Sequence, residues 1–411
     1  MTVSRRTLLS ALPALAGLSS LPGSHALEAA QASPPATDPL GVRAEFPVTS
    51  TSLFLNSAYI TPTPTPTPVM AVGRAFADAK GTAPISLSDM LRKTGEVRAQ
   101  YAALINASPD EIGFLAATSE GENIVARSMD FTRGDNVVID ELHYETEFVL
   151  YSELAKTTGV ELRIGKARGG AVTAKELEPL VNRRTKLVSV AWVSHQNGFR
   201  HDMRPIADLA HAHGAFFYTD GIQGAGMFPI DVKAAGVDAM CVGTYKWLLG
   251  AYGVAPFYVR RELLERVRLD RYGALHVERQ LGPTSFEIYK TARRFDYATL
   301  AFGPVYQLGA GLEYLKRVGV DRIETHSVAL AHQLHKGLRT LGFEVTTPEG
   351  NRSSIVAFKV TKPQDAITKH LADTKTQVSV RENGTQIRVS PALFNTSADI
   401  DRFLTVAEGL K

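Results

Sequence analysis

The sequence predicts an α/β protein, in which a large domain with a mostly parallel sheet flanked by helices is followed by a small α+β domain. Three observations carry this. Between about residues 95 and 260, short apolar runs alternate with amphipathic stretches, as expected of strands buried on both faces between crossover helices. Several of these runs stop where polar residues begin, at the carboxyl edge where open α/β sheets bind ligands. Beyond about 310 the alternation gives way to a long helical stretch, three short strands and a last helix, which reads as a separate layer.

Residues 1–26 read as an export signal. Ser4-Arg5-Arg6-Thr7-Leu8-Leu9 puts two arginines before the apolar run Leu8 to Leu18, and Ser24-His25-Ala26 offers small residues for cleavage. The run is shorter than the ~20 residues that span a bilayer, so no stable membrane association is expected. The pattern resembles a twin-arginine signal, which implies the twin-arginine export machinery as a partner and a periplasmic or secreted location. Residues 27–50, rich in Ala, Pro and Ser, read as a tether. The large domain is expected over 51–310 and the small one over 311–411.

Leu53-Phe54-Leu55-Asn56 has the pattern of a buried strand. The alternating Thr-Pro run from Thr61 to Pro68 then predicts a stiff crossover within the fold, because every second residue lacks an N–H and fixes φ near −65°. Strands are expected at Asn136 to Asp140, Leu187 to Val193, Ala215 to Asp220 and Ala239 to Thr244, with a helix over 204–213. The small domain should hold a helix over 321–341, strands near 354–360, 377–381 and 385–390, and a helix from about 397.

At 411 residues, 44% of them hydrophobic and 21% charged, the chain can bury a sizeable core and is not disordered. A formal net charge of +3 suggests no nucleic-acid partner. The single cysteine, Cys241, cannot form an internal disulfide, and no metal site is expected.

The chemistry-bearing residues cluster at strand ends. Lys246, in Thr244-Tyr245-Lys246-Trp247, follows an apolar strand, where desolvation lowers an ammonium pKa toward a nucleophilic amine. Asp220 leaves another strand just before Gly221 and Gly224, placed to pair with a protonated pyridine nitrogen or simply to form a turn. Thr118-Ser119-Glu120-Gly121 opens a helix whose N–H groups and dipole suit a phosphate, or is an ordinary N-cap.

Together these motifs resemble the class V aminotransferase family, fold-type I enzymes that depend on pyridoxal 5′-phosphate (PLP), and in particular its isopenicillin N epimerase-like branch. The likeness runs from Leu53-Phe54-Leu55-Asn56-Ser57-Ala58 to Asp399-Ile400-Asp401-Arg402-Phe403. It implies a seven-stranded-type sheet, with Lys246 as the Schiff-base lysine, Asp220 at the pyridine nitrogen, Gln223 near the ring hydroxyl, and Thr118, Ser119 and Thr244 around the phosphate. His143-Tyr144 resembles the segment that lays a ring over the pyridine; counting to Tyr151 favours Tyr144, with His143 beside it. Arg388, in Arg388-Val389-Ser390, would clamp the substrate α-carboxylate, with Asn56, His195 and Asn197 as further substrate contacts. Arg293 to Thr299 resembles a loop that reaches a neighbouring subunit's phosphate, which implies a homodimer with shared sites and Thr299 as a cofactor contact.

The activity expected is amino-acid transamination or epimerisation at Cα. The alternatives are a PLP-dependent β-lyase and a non-catalytic periplasmic protein that binds PLP or amino acids. Cysteine desulfurases of the family carry a thiol on a loop before the carboxylate arginine. The segment from Pro348 to Arg388 has none, so persulfide transfer is not expected.

Overall fold

The computed structural model describes residues 38–65 and 68–411; the segment expected to be an export signal and the first part of the expected tether lie outside them. The central sheet has seven strands: β1 (Ile112–Leu115), β2 (Asn136–Asp140), β3 (Glu161–Gly165), β4 (Thr185–Ala191), β5 (Phe216–Asp220), β6 (Ala239–Cys241) and β7 (Ala255–Val259). Their order is β1-β7-β6-β5-β4-β2-β3, and only β7 pairs antiparallel with its neighbours.

Two-residue periodicity explains why these strands read as continuous apolar runs. Phe216 and Tyr218 face a layer that includes α1 (Thr118–Ser128) and α2 (Glu145–Thr158), while Phe217 faces the opposite core with Ile206 and Leu308. Both faces are covered, so no polar alternation survives. The glycine at 121 lets α1 lie against the sheet, since a Cβ there would sit 2.5 Å from that of Cys241.

In the small domain, β8 (Val356–Lys359), β9 (Ser379–Arg381) and β10 (Gln386–Val389) form an antiparallel sheet with β10 in the middle. It packs on α4 (Val320–Thr340) and α5 (Ser397–Glu408), and register sets Ser379 directly opposite Arg388. The helix α3 (Phe302–Val318) precedes α4, with Gly319 (φ +90°) between them. No described helix is long and apolar enough to cross a membrane.

Three expected boundaries are corrected. The tether ends before 42: Val42 and Phe46 are buried, Phe46 packs against Phe394 with ring centroids 4.4 Å apart, and Arg43 pairs with both oxygens of Asp399 at 2.5 and 3.0 Å. The large domain does not begin at 51, because Leu53 and Leu55 lie in the small-domain core and Leu53–Phe54 pairs in parallel with Thr376–Gln377. Nor does a break fall at 310: that position is inside α3, whose Leu308, Leu312 and Leu315 pack into the large-domain core with Val97. Burying one apolar face ties these segments to whichever core receives them. At the start of the Thr-Pro segment, the Thr61 N–H donates to the Tyr245 carbonyl at 3.3 Å, beside Lys246.

Candidate active site

The carboxyl edge of the sheet assembles the site. Asp220 ends β5 between Ala191 of β4 and Cys241 of β6. Its side chain is buried, with Oδ1 accepting the Ile222 N–H at 2.8 Å. Burial pushes the carboxyl up to about 6, opposed by that hydrogen bond and by the Lys246 ammonium.

Lys246 follows β6 in a turn closed by the Leu249 N–H on the Lys246 carbonyl (3.0 Å) and the Gly250 N–H on the Thr244 carbonyl (2.9 Å). The turn presses on Gly226, where a Cβ would lie 2.3 Å from the Trp247 carbonyl oxygen. Desolvation lowers the ammonium to about 8; Asp220 holds it up, while Arg388 and Arg381 push it down. At neutral pH a modest free-energy change therefore exposes the amine lone pair.

One cavity of about 300 Å³ is lined by Thr118, Ser119, Tyr144, His195, Asp220, Gln223 and Lys246, so residues from distant stretches of sequence do converge. Thr118 and Ser119 open the eleven-residue α1. Thr118 Oγ1 accepts the Gly243 N–H at 2.9 Å, which leaves its own O–H to donate. Gln223 is fixed from both ends: Nε2 donates to the Ala58 carbonyl (2.9 Å) and Oε1 accepts from Trp247 Nε1 (2.8 Å).

The structure separates His143 from Tyr144. Tyr144 is 42% exposed and lines the cavity, whereas His143 is fully buried. Its Nδ1 accepts the Tyr144 N–H at 2.8 Å and its Nε2 lies 3.0 Å from Ser189 Oγ, so the ring is neutral with its proton on Nε2. Burial takes its pKa down to about 4. His143 supports Tyr144 and does not meet the cavity.

Arg388, on β10, donates from Nη1 to the His195 carbonyl (2.7 Å) and from Nη2 to Ser379 Oγ (3.0 Å). Its Nε is buried and has no hydrogen-bond partner among the described residues, and burial lowers the guanidinium to about 9. A buried guanidinium with unused donors suits a carboxylate. His195 packs edge-on to Tyr144 (centroids 5.0 Å apart), with Nε2 3.1 Å from Glu145 Oε2.

Four expected contacts lie elsewhere. Thr244 Oγ1 donates to the Ala251 carbonyl (2.6 Å) and so serves the lysine turn. Asn197 ties its loop to another, donating to the Gly170 carbonyl (2.7 Å) and accepting from the Phe199 N–H (3.0 Å). Asn56 accepts from Ser379 Oγ at 2.6 Å, and thus braces the hydroxyl that holds Arg388. Thr299 is exposed and borders a separate cleft with Phe76 and Met90. Sequence reasoning missed Ser379, Glu145 and Arg381, which surround Arg388 only through cross-strand pairing and the Arg381–Glu145 ion pair (2.6 Å). It also missed the stacked pair Tyr245–Tyr252 at the cavity wall (4.2 Å); the aromatic flanking Lys246 was the available signal.

These groups fit PLP: hydroxyls at a helix N-terminus for the phosphate, a buried carboxylate for the pyridine nitrogen, and an amine of lowered pKa for the carbonyl carbon. Comparison with known proteins agrees. A probable cysteine desulfurase of Methanothermobacter thermautotrophicus is 29% identical over 384 residues, covering 87% of this chain and 94% of that protein. The apo cysteine desulfurase of Thermococcus onnurineus shares the fold, with a TM-score of 0.83 at 24% identity over 92% of this chain and 99% of that one. A C-DES variant with glycine covalently linked to its PLP cofactor gives a TM-score of 0.82 at 19% identity, covering 90% of this chain and 99% of that one. The family model for class V aminotransferases matches residues 59–403. With that match spanning the cavity, Lys246, Asp220 and Arg388, this chain belongs to the class V aminotransferase family, and its cofactor is pyridoxal 5′-phosphate.

Proposed function

We propose that this PLP-dependent enzyme is a lyase that removes the Cα proton of an amino acid and expels a sulfur substituent from Cβ as a small molecule. The observation that carries this reading is one amine of lowered pKa, Lys246, facing Asp220 in a cavity whose protein has no accessible thiol. PLP, when bound, supplies an electron sink for the electrons left at Cα.

Arg388 orients the substrate by its carboxylate, and Lys246 takes the Cα proton. Asp220, anionic at neutral pH and hydrogen-bonded by Ile222, stabilises positive charge at the ring nitrogen. As the Cβ–S bond breaks, its electron pair leaves with sulfur, which departs as hydrosulfide or a thiolate after proton transfer. The remaining three-carbon fragment takes up water to give pyruvate and ammonium. Cys241, the only cysteine, is buried in β6 with its thiol pKa pushed up by burial, so it cannot accept sulfur. The likeness to a probable cysteine desulfurase supports a sulfur amino acid as substrate.

Transamination needs the same Lys246 and differs only in where the proton returns. Epimerisation needs a second proton carrier across Cα; the cavity's imidazole, His195, is held by Glu145 and pushed down to about 4 by burial, which favours the single-base reactions. The test is incubation with an amino-acid panel, L-cysteine and L-cystine included, in D₂O. Pyruvate with sulfide supports the lyase. A substrate-derived keto acid with amino-group retention on the enzyme replaces it with an aminotransferase, and deuterated opposite enantiomer with an epimerase.

The exposed Thr299, outside its own subunit's cavity, is consistent with a homodimer in which it serves the partner's site. The paired Arg5 and Arg6 support export of the folded protein to the periplasm.

A further inference from the structure

Beside Asp220, on the side of the sheet covered by α1 and α2, two carboxyl side chains are buried together. Glu122 of α1 is 1% exposed and Glu147 of α2 is 2% exposed. Glu122 Oε1 accepts from Tyr151 Oη at 2.7 Å and from Ser189 Oγ at 2.5 Å. Ser189 in turn meets His143 Nε2 at 3.0 Å, and His143 Nδ1 holds the Tyr144 backbone N–H. The direction of every donor in this chain is fixed. Nδ1 must accept from the amide, so Nε2–H donates to Ser189, and the Ser189 hydroxyl donates to Glu122.

The other carboxyl oxygens carry the argument. Glu122 Oε2 and Glu147 Oε2 are both buried and neither finds a donor among the described residues, although the two carboxyl groups face each other. Two ionised carboxylates so placed would repel, unsolvated. A hydrogen bond between carboxyl groups needs a proton on one of them, and one shared proton removes both problems. The groups around the pair are His143 from the loop after β2, Tyr151 from α2, Ser189 from β4, and Tyr218 and Asp220 from β5. The largest influences on the two acids include the negative charge of Asp220 on both, and the imidazole nearest Glu122, His143 at 3.7 Å, is held neutral by burial.

We propose that Glu122 and Glu147 share one proton and act as a positioning unit for the cofactor site. The pair anchors the Ser189–His143–Tyr144 chain and keeps one negative charge near Asp220. Burial pushes both acids up, and the two hydrogen bonds that Glu122 Oε1 accepts from Tyr151 and Ser189 favour its charged form, which assigns the proton to Glu147 and the charge to Glu122. That charge favours positive charge on whatever pairs with Asp220. None of this depends on which reaction the enzyme performs.

The test uses purified holoenzyme and two variants, with two readouts that do not require turnover. Infrared spectroscopy in H₂O and D₂O reads the carbonyl stretch of a protonated carboxylic acid, and absorbance reads the pH titration of the bound cofactor's visible band. Glu147→Gln keeps a donor to Glu122 and the same net charge, so it should lose the buried-acid stretch and titrate like the parent. Glu122→Gln removes the charge, so its midpoint should move to lower pH by on the order of one unit. A parent with no buried-acid stretch at neutral pH, or a stretch that survives in Glu147→Gln, overturns the shared proton. A folded Glu122→Gln protein that titrates like the parent overturns the electrostatic role. If Glu122→Gln fails to fold, Glu147→Leu, which strips Glu122 of its donor in an apolar surround and so drives it to protonate, must move the midpoint to lower pH where Glu147→Gln does not; an unmoved midpoint there counts against the proposal equally.

Discussion

Arg388 of the small domain donates from Nη1 to the backbone carbonyl of His195 in the large domain at 2.7 Å. A residue on β10 is thereby fixed against a loop that lines the cavity of Lys246, with Ser379 and Asn56 bracing it from behind. Substituting Arg388 by lysine keeps a positive charge and loses the paired donors. We expect kcat/KM for α-carboxylate substrates to fall by roughly 30- to 1,000-fold, about 2–4 kcal/mol, with the cofactor's visible band retained. Steady-state kinetics across accepted amino acids checks this.

Lys246→Ala should remove the visible band and turnover together. Borohydride treatment followed by peptide mapping should label Lys246 in the parent protein and no lysine in the variant. A reducible adduct on another residue of an active variant would reassign the amine.

The raised pKa of Asp220 has a stability consequence whose sign is fixed. A carboxyl that ionises near 6 when folded, against 3.8 in its ordinary state, makes the folded protein favour protonation. Its stabilising effect is complete below 3.8 and is lost as pH rises through 6. In the cofactor-free protein, Asp220→Asn should therefore be the more heat-stable form at pH 8, by up to about 3 kcal/mol. The advantage should vanish near pH 4, while affinity for PLP drops at every pH. Thermal melts of both apo proteins across that range measure it.

Mixed dimers test the shared site. Subunits with Lys246→Ala and subunits with Thr299→Trp should each be inactive alone and regain part of the activity when mixed. A parent protein fully active as a monomer at all dilutions would rule this out.

Replacing Arg5 and Arg6 by lysines should keep active, cofactor-loaded enzyme in the cytoplasm, as fractionation with absorbance of the bound PLP would show. Normal periplasmic amounts of loaded double variant would refute dependence on the arginine pair.

The sequence by itself determined the layered α/β plan, because strands buried on both faces must be apolar runs and crossover helices must be amphipathic. It also determined Lys246 and Asp220, since both stand at the ends of such runs, where the backbone leaves the sheet. Tertiary structure alone decided the rest. The ring exposed to the cavity is Tyr144 because His143 is held inward by Ser189, a residue 46 positions away. Asn56 and Asn197 look like ligands in sequence, yet cross-strand and loop hydrogen bonds use their polar atoms first. Nothing in the local sequence marks Glu122 and Glu147; two helices close over the sheet and leave them buried together out of water. Strand ends are local properties of a chain, whereas hydrogen-bond partners and burial depend on what packing brings from far along it.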